Sequence, residues 1–273
     1  PTASGPRLGA TYTEDGKVLA KLPDDFYSSD TFATKLIEQL KNSKAGKDGK
    51  KPFFAYLAFT APHWPLQARP QDIAKYRGKY DTGFEVLRQQ RLKRQVELGL
   101  LDPAVIAHDP VLPNGGWDSL SAEQKRTASR DMEIYAAMVD RLDQNVGRVI
   151  QTLKETGEYD NTVILFLADN GAEGVDLSRS ELAPFKSIAT HADNSFDNRG
   201  SATSFVAYGP GWAQAATAPS WLYKAYATEG GTRTVSFIAG KDLGRKHPVA
   251  DAFLSVADVV PTFLDLAGLP KPN

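Results

Sequence analysis

The chain has 273 residues, a formal net charge of -1, 41% hydrophobic and 24% charged residues. This is the balance of a globular protein with one large domain or one and a half, and the near-neutral charge gives no reason to expect nucleic acid as a partner. The absence of cysteine excludes disulfides, thiolate metal sites and a cysteine nucleophile within these residues, and no stretch of about 18 uninterrupted apolar residues offers a membrane span.

The chain begins at Pro1, without an initiator Met or a signal-peptide pattern, so the expectation is a piece of a longer protein whose compartment stays open. Residues 1–29 are rich in Gly, Ser, Pro and charge, with a short strand expected over Lys17-Val18-Leu19-Ala20. Asp24 and Asp25 form a carboxylate pair, but no strand precedes them. Ser28, Ser29 and Asp30 supply N-cap chemistry for a helix that carries Phe32, Leu36, Ile37 and Leu40 at helical spacing. The pair therefore reads as a loop before a helix, and Asn42–Lys51 as a Gly/Lys linker.

Pro52–Phe59 is apolar and reads as a buried strand. It ends in Thr60-Ala61-Pro62-His63-Trp64-Pro65, where two prolines place His63 on a stiff loop. Helix, apolar strand and rigid loop in that order fit an α/β unit. Residues 66–120 are irregular, with a short helix beginning at Pro70 and helical character over Phe84–Leu98. The bases Arg88, Arg91, Lys93 and Arg94 read there as a solvated face.

The clearest helix is Ser121–Glu155. Tyr135, Met138, Val139, Leu142, Val146, Val149, Ile150 and Leu153 make one stripe, Ser121 with Gln124 forms a capping box, and Gly157 is a C-cap. This helix is expected to pack its stripe on a sheet. A run of large and β-branched residues, Thr162–Ala168, follows and reads as a strand buried on both faces. It ends in Asp169-Asn170-Gly171. Ligands of open parallel sheets bind beyond the carboxyl ends of strands. An anionic carboxylate beside a neutral amide oxygen suits a hard cation such as Ca²⁺ or Mg²⁺ rather than Zn²⁺, although the same three residues also make an ordinary turn. His63 and Lys224 carry functional meaning only if they converge on this strand end.

Ser204–Tyr208 reads as a third strand, ending in a loop at Gly209-Pro210-Gly211. Glu229–Arg233 reads as a tight turn before a strand at Thr234–Ala239, with Arg233 and Glu229 holding the turn. Ser255–Leu266 reads as an amphipathic helix with Val256, Val259, Val260, Phe263 and Leu264 inward, stopped by Gly268 and Pro270. His191, Asp193 and Asn194 read as loop chemistry, and His108 and His247 as surface. Trp64, Trp117 and Trp212 are candidates for an apolar wall.

Several short motifs occur in one order. Leu167-Ala168-Asp169-Asn170-Gly171-Ala172-Glu173-Gly174 resembles the second metal-ligand motif of the sulfatase family. Ala61-Pro62-His63-Trp64-Pro65-Leu66 resembles its substrate-contacting histidine loop. Trp221-Leu222-Tyr223-Lys224, with Glu229-Gly230-Gly231-Thr232-Arg233, resembles its lysine segment and the Gly-Gly turn after it. Phe26-Tyr27-Ser28-Ser29 and Gly211–Ala216 point to bacterial-type arylsulfatases in particular.

The resemblance implies an alkaline-phosphatase-like α/β fold: a large mixed, mostly parallel sheet flanked by helices, incomplete at the N-terminus. Residues 1–233 would be the middle and C-terminal part of the catalytic domain, and 234–273 the start of a smaller subdomain. Asp169 and Asn170 would bind Ca²⁺. His63 and Lys224 would contact a small-molecule sulfate ester, an aryl sulfate by preference, and Asp169 could assist proton transfer. The family's formylglycine arises from a Cys/Ser-x-Pro-x-Arg motif, which this chain lacks; Ser4-Gly5-Pro6-Arg7 sets its arginine one residue early. The first Asp-Asp metal pair is likewise missing, so inactivity alone and weak calcium binding are expected. A phosphonate or phosphodiester hydrolase of the same fold, or a non-catalytic relative, are the alternatives. Asn170, where two-zinc enzymes of this fold use His, favours the sulfatase.

Overall fold

The longest helix starts where the sequence places it. In a computed structural model, which describes residues 11–44, 52–112, 115–177, 183–241, 243, 249–250 and 252–270, the Ser121 side chain accepts from the Gln124 N–H, and the Gln124 side chain accepts from the Ser121 N–H. Ser4-Gly5-Pro6-Arg7, residues 45–51 and His247 lie outside the described residues. The chain divides into two units, Pro1–Lys241 and Asp242–Asn273.

In chain order the first unit holds β1 (Thr13–Glu14), β2 (Lys17–Val18), α1 (Ser28–Lys44), α2 (Pro70–Ala74), α3 (Phe84–Glu97), α4 (Ala122–Glu155), β3 (Ile164–Leu167), α5 (Ala183–His191), α6 (Gly209–Thr217), α7 (Glu229–Thr232) and β4 (Ser236–Ala239). The β1–β2 hairpin turns at Asp15-Gly16, both at positive φ. α4 ends at Thr156, with Gly157 at φ 71° as the left-handed stop.

The sheet differs from the mostly parallel one expected. Among the described residues, β3 pairs only with β4, antiparallel, with Ile164 opposite Ala239 and Leu167 opposite Ser236. The Phe166 and Phe237 rings stack across the pair at 5.0 Å. β3 is therefore half-buried rather than buried on both faces, and Leu167 is exposed. The Pro52–Phe59 segment is not a paired strand, and Phe54 and Tyr56 are 76% and 86% exposed. A strand buries its faces only when neighbours complete the sheet, and no described strand pairs with it.

The core lies elsewhere. Met132, Ile134, Ala137 and Met138 of α4 pack with Leu66, Val206, Tyr208, Trp212 and Ala213. Trp212 is surrounded by Tyr80, Phe84 and Trp117, with ring centroids 5.6–5.8 Å away. Trp117 and Trp212 are thus core side chains rather than a substrate wall. Helix α4 spans ~50 Å at helical rise, far more than a four-residue strand pair can cover. It packs on α1 and α2 instead of on the sheet, leaving Val139 exposed.

Polar groups join these helices. Asp30 in α1 accepts from Arg141 Nε and Nη2 (both 2.7 Å), Asn145 Nδ2 (2.8 Å) and Arg69 Nη2 (3.0 Å). Asp131 accepts from Arg199 Nε and Nη2, both at 2.7 Å. Arg88 is buried, not solvated. Its Nη1 donates to the Gln214 carbonyl at 2.6 Å and its Nη2 to that of His108, which satisfies carbonyls between α3 and α6. The loop expected at Gly209-Pro210-Gly211 is the first turn of α6, where Pro210 suits the start of a helix.

In the second unit, Ser255 caps a 3-10 turn, Val256–Asp258, that runs into α8 (Val259–Leu266), and Gly268 at φ 67° follows the end. Val256 and Val260, expected inward, are 79% and 62% exposed. The described part of this unit is one helix and a turn, which has no second apolar layer to bury them.

Candidate functional site

The exit of β3 is held by backbone packing. Gly171 N–H donates to Gly231 O at 2.9 Å, and a Cβ on Gly171 would sit 1.8 Å from Gly230 O. Gly230 in turn lies against the Leu222 and Trp221 carbonyls, and a Cβ there would approach them to 2.0 and 2.3 Å. Gly174 abuts the Tyr223 ring, and Lys224 N–H donates to Ala172 O at 2.9 Å. The glycines of both motifs are therefore needed for one close contact, which sets the Lys224 segment beside the turn after β3. Thr228 and α7 complete the seam: Thr228 Oγ1 donates to Trp221 O at 2.6 Å. Arg233 and Glu229 pair at 3.4 Å across that turn, as expected of them.

His63 and Lys224 do converge. Lys224 Nζ is 3.1 Å from His63 Nε2, though the two are 161 residues apart in the chain. The His63 loop is anchored by Leu66 N–H donating to Val206 O at 2.9 Å. The Ala61-Pro62 and Trp64-Pro65 bonds on either side of His63 are cis. His63 Nδ1 lies 2.7 Å from Trp64 O. A carbonyl only accepts, so Nδ1 carries the proton and Nε2 is the acceptor for the Lys224 ammonium.

A third residue, Glu173, meets them. Glu173 Oε2 is 3.0 Å from Lys224 Nζ and 3.7 Å from His63 Nε2, while its Oε1 accepts from Val175 N–H at 3.1 Å. The side chains are partly open to solvent: 43% for His63, 31% for Lys224 and 20% for Glu173. The Ser204–Tyr208 segment, expected as a strand, is not one, and Tyr208 lies close to Glu173. Burial, with Tyr135 and Glu173 nearby, holds the Tyr208 phenol well above its ordinary range. Burial, Tyr226 and Glu173 push Tyr223 up to about 12. Both phenols stay neutral near pH 7, and Lys224 with Glu173 forms the ion pair at the site.

Asp169 and Asn170 occupy the same turn. Asp169 is exposed and Asn170 half-buried, and Asn170 Nδ2 donates to Gly171 O at 2.9 Å. Among the described residues, neither the Asp169 carboxylate nor Asn170 Oδ1 has a hydrogen-bond or ion-pair partner. Two adjacent oxygens without partners are the donor type a hard cation takes, but they are two where Ca²⁺ takes six to eight. Consistently, no group of three or more His, Cys, Asp or Glu residues able to hold a metal occurs among the described residues. Asp24 and Asp25 are exposed, and Asp24 faces Lys21 at 3.8 Å. His191 caps its own helix through Ser187 O, and His108 stacks on Trp221.

The sulfatase family pattern matches residues 3–269, nearly the whole chain. The chain belongs to the sulfatase family. It is 49% identical over 251 residues to an uncharacterized sulfatase of Schizosaccharomyces pombe, covering 91% of this chain and 44% of that protein. It is 38% identical over 267 residues to an arylsulfatase of Klebsiella aerogenes, covering 96% of this chain and 55% of that protein. This sulfatase chain therefore spans about half the length of these curated relatives. Its backbone superposes on the crystal structure of Ps i-CgsB in complex with k-i-k-neocarrahexaose with a TM-score of 0.52, at 22% identity, over 94% of this chain and 37% of the other. That likeness concerns the fold alone. No described helix of the sulfatase chain is long and apolar enough to cross a membrane.

Proposed function

We propose that this chain forms one wall of an active site that hydrolyses sulfate esters, aryl sulfates foremost. The observation that carries the reading is the 3.1 Å approach of Lys224 Nζ to His63 Nε2 beside the turn after β3. An ammonium is a compact point charge suited to sulfate oxygens. In hydrolysis, negative charge grows on the sulfate and the leaving oxygen, and fixed cations aimed there are the expected main catalytic contribution. Lys224 neutralises that charge. His63, once protonated at Nε2, donates to the bridging or sulfate oxygen, and Asp169 assists proton transfer. Asp169 and Asn170 would hold Ca²⁺, which when bound supplies Lewis-acid charge to the sulfate. The likeness to the Klebsiella arylsulfatase supports the aryl class.

The formylglycine nucleophile and the remaining metal ligands lie outside these 273 residues on this reading, and the isolated chain is inactive. Residues 1–233 are then catalytic and 234–273 begin a smaller C-terminal subdomain. The test compares 4-nitrophenyl sulfate with 4-nitrophenyl phosphate and a phosphonate ester in the full-length protein that carries this chain. Sulfate hydrolysis that falls at least about a hundredfold in Lys224→Ala is the expected result. Hydrolysis of the phosphorus esters without the sulfate overturns the reading, as does sulfate turnover by the isolated chain.

A further inference from the structure

The Glu173 carboxylate has no part in the mechanism above, yet both of its oxygens have partners. One oxygen accepts from Val175 N–H at 3.1 Å and the other lies 3.0 Å from Lys224 Nζ. The residue after it, Gly174, abuts the Tyr223 ring, which leaves no room there for a side chain. An ammonium has three N–H bonds. Lys224 directs one to His63 Nε2 and one to Glu173 Oε2, and the third is left for an incoming oxyanion.

We infer that Glu173 sets the charge selectivity of the site, favouring a monoanionic ester over a dianionic ester of the same shape. Glu173 already pairs with the Lys224 ammonium at 3.0 Å, so that ion pair carries no net charge of its own. A sulfate monoester brings one negative charge, which the third Lys224 N–H meets. A phosphate monoester well above pH 6 brings two. The second is repelled by a fixed carboxylate a few ångströms from the bound oxyanion, in a partly desolvated setting where such repulsion is several times stronger than in water. The inference rests on the proposed sulfate-ester chemistry and adds a reason for the choice between sulfate and phosphate.

The experiment measures kcat/KM for 4-nitrophenyl sulfate and 4-nitrophenyl phosphate at pH 8 in the full-length protein and in Glu173→Gln, Glu173→Ala and Glu173→Asp. The glutamine keeps the shape and the acceptor for Val175 N–H but removes the charge. The phosphate-to-sulfate ratio rises about tenfold in Glu173→Gln and Glu173→Ala and stays within about twofold in Glu173→Asp. An unchanged ratio in the two neutral variants overturns the inference while leaving the sulfatase reading standing; absence of sulfate turnover in the unaltered protein sinks that reading instead. A readout that needs no variant is inhibition of the unaltered protein by phenylsulfonate and phenylphosphonate. These are similar in shape and differ by one charge. The sulfonate binds at least as tightly as the phosphonate, and a tenfold preference for the dianion overturns the inference.

Discussion

Gly171 and Gly230 touch through the backbone, and that contact joins two stretches of chain nearly sixty residues apart. It leaves no room for a side chain on Gly171, whose N–H also donates to Gly231 O at 2.9 Å. Gly171→Ala must therefore push α7 and the Lys224 segment away from β3. The expected cost is about 3 kcal/mol, within the range of overpacking in a rigid setting. Urea denaturation checks it, and a change under about 0.5 kcal/mol would show that the seam can yield. Gly157→Ala, in open space but at positive φ, is a control for backbone strain alone.

Asp30 supplies a pH-dependent link between α1 and α4. Burial raises its pKa, but hydrogen bonds from Arg141, Asn145 and Arg69 and the Arg141 charge outweigh this, and the folded value is lowered. A carboxyl group whose folded pKa is depressed contributes stability above its unfolded pKa, about 3.9, and loses it as pH falls through the folded value. The unaltered chain should thus lose stability below about pH 4, and Asp30→Asn should flatten that acid limb. Asp30→Asn is also expected to cost about 3 kcal/mol at pH 7, because two guanidinium groups lose their carboxylate. An acid limb of the same slope in Asp30→Asn would refute the assignment.

Lys224→Arg is not a conservative change here. The ammonium fits between His63 Nε2 and Glu173 Oε2, at 3.1 and 3.0 Å. A planar guanidinium is longer and cannot place its donors at both acceptors while aiming a third at the same point. Sulfate-ester kcat in the full-length protein is expected to fall at least about tenfold, with folding unaffected by circular dichroism and melting. Full activity in Lys224→Arg would mean that only the sign of the charge matters.

Calcium affinity tests the ligand count. Asp169 and Asn170 offer two oxygens without protein partners, and no described group of three acidic or histidine side chains can complete a site. In calorimetry the 273-residue chain should bind Ca²⁺ no tighter than the weakest protein sites, about 10⁻³ M. Chelation should then leave its melting temperature unchanged. Stoichiometric micromolar binding would show that further ligands are present in the chain.

Local signals were legible wherever their cause was local. The α4 start follows from Ser121 and Gln124 alone, because a capping box is satisfied within four residues. Gly157 and Gly268 end helices because only the backbone conformation matters there. The apolar run at Pro52–Phe59 misled for the opposite reason. A strand's burial depends on neighbours, and its own composition cannot supply them. The same holds for Arg88, whose charge suggests solvent while its hydrogen bonds lie on residues 20 and 126 positions away. Glu173 escaped notice although it stands in the same motif as Asp169. A loop carboxylate carries no periodic signal, and its meaning comes from what faces it.

From the residues alone came the family, the order of its motifs and the chemical types at the site: a lysine, a histidine and two oxygen donors on an exit turn. These rest on side-chain chemistry and short spacing, which are properties of the chain itself. Tertiary structure alone decided that His63 and Lys224 meet at 3.1 Å, that Glu173 joins them, and that the glycines serve one shared backbone contact. Distances between segments far apart in sequence are set by packing of the whole chain, and no local pattern encodes them.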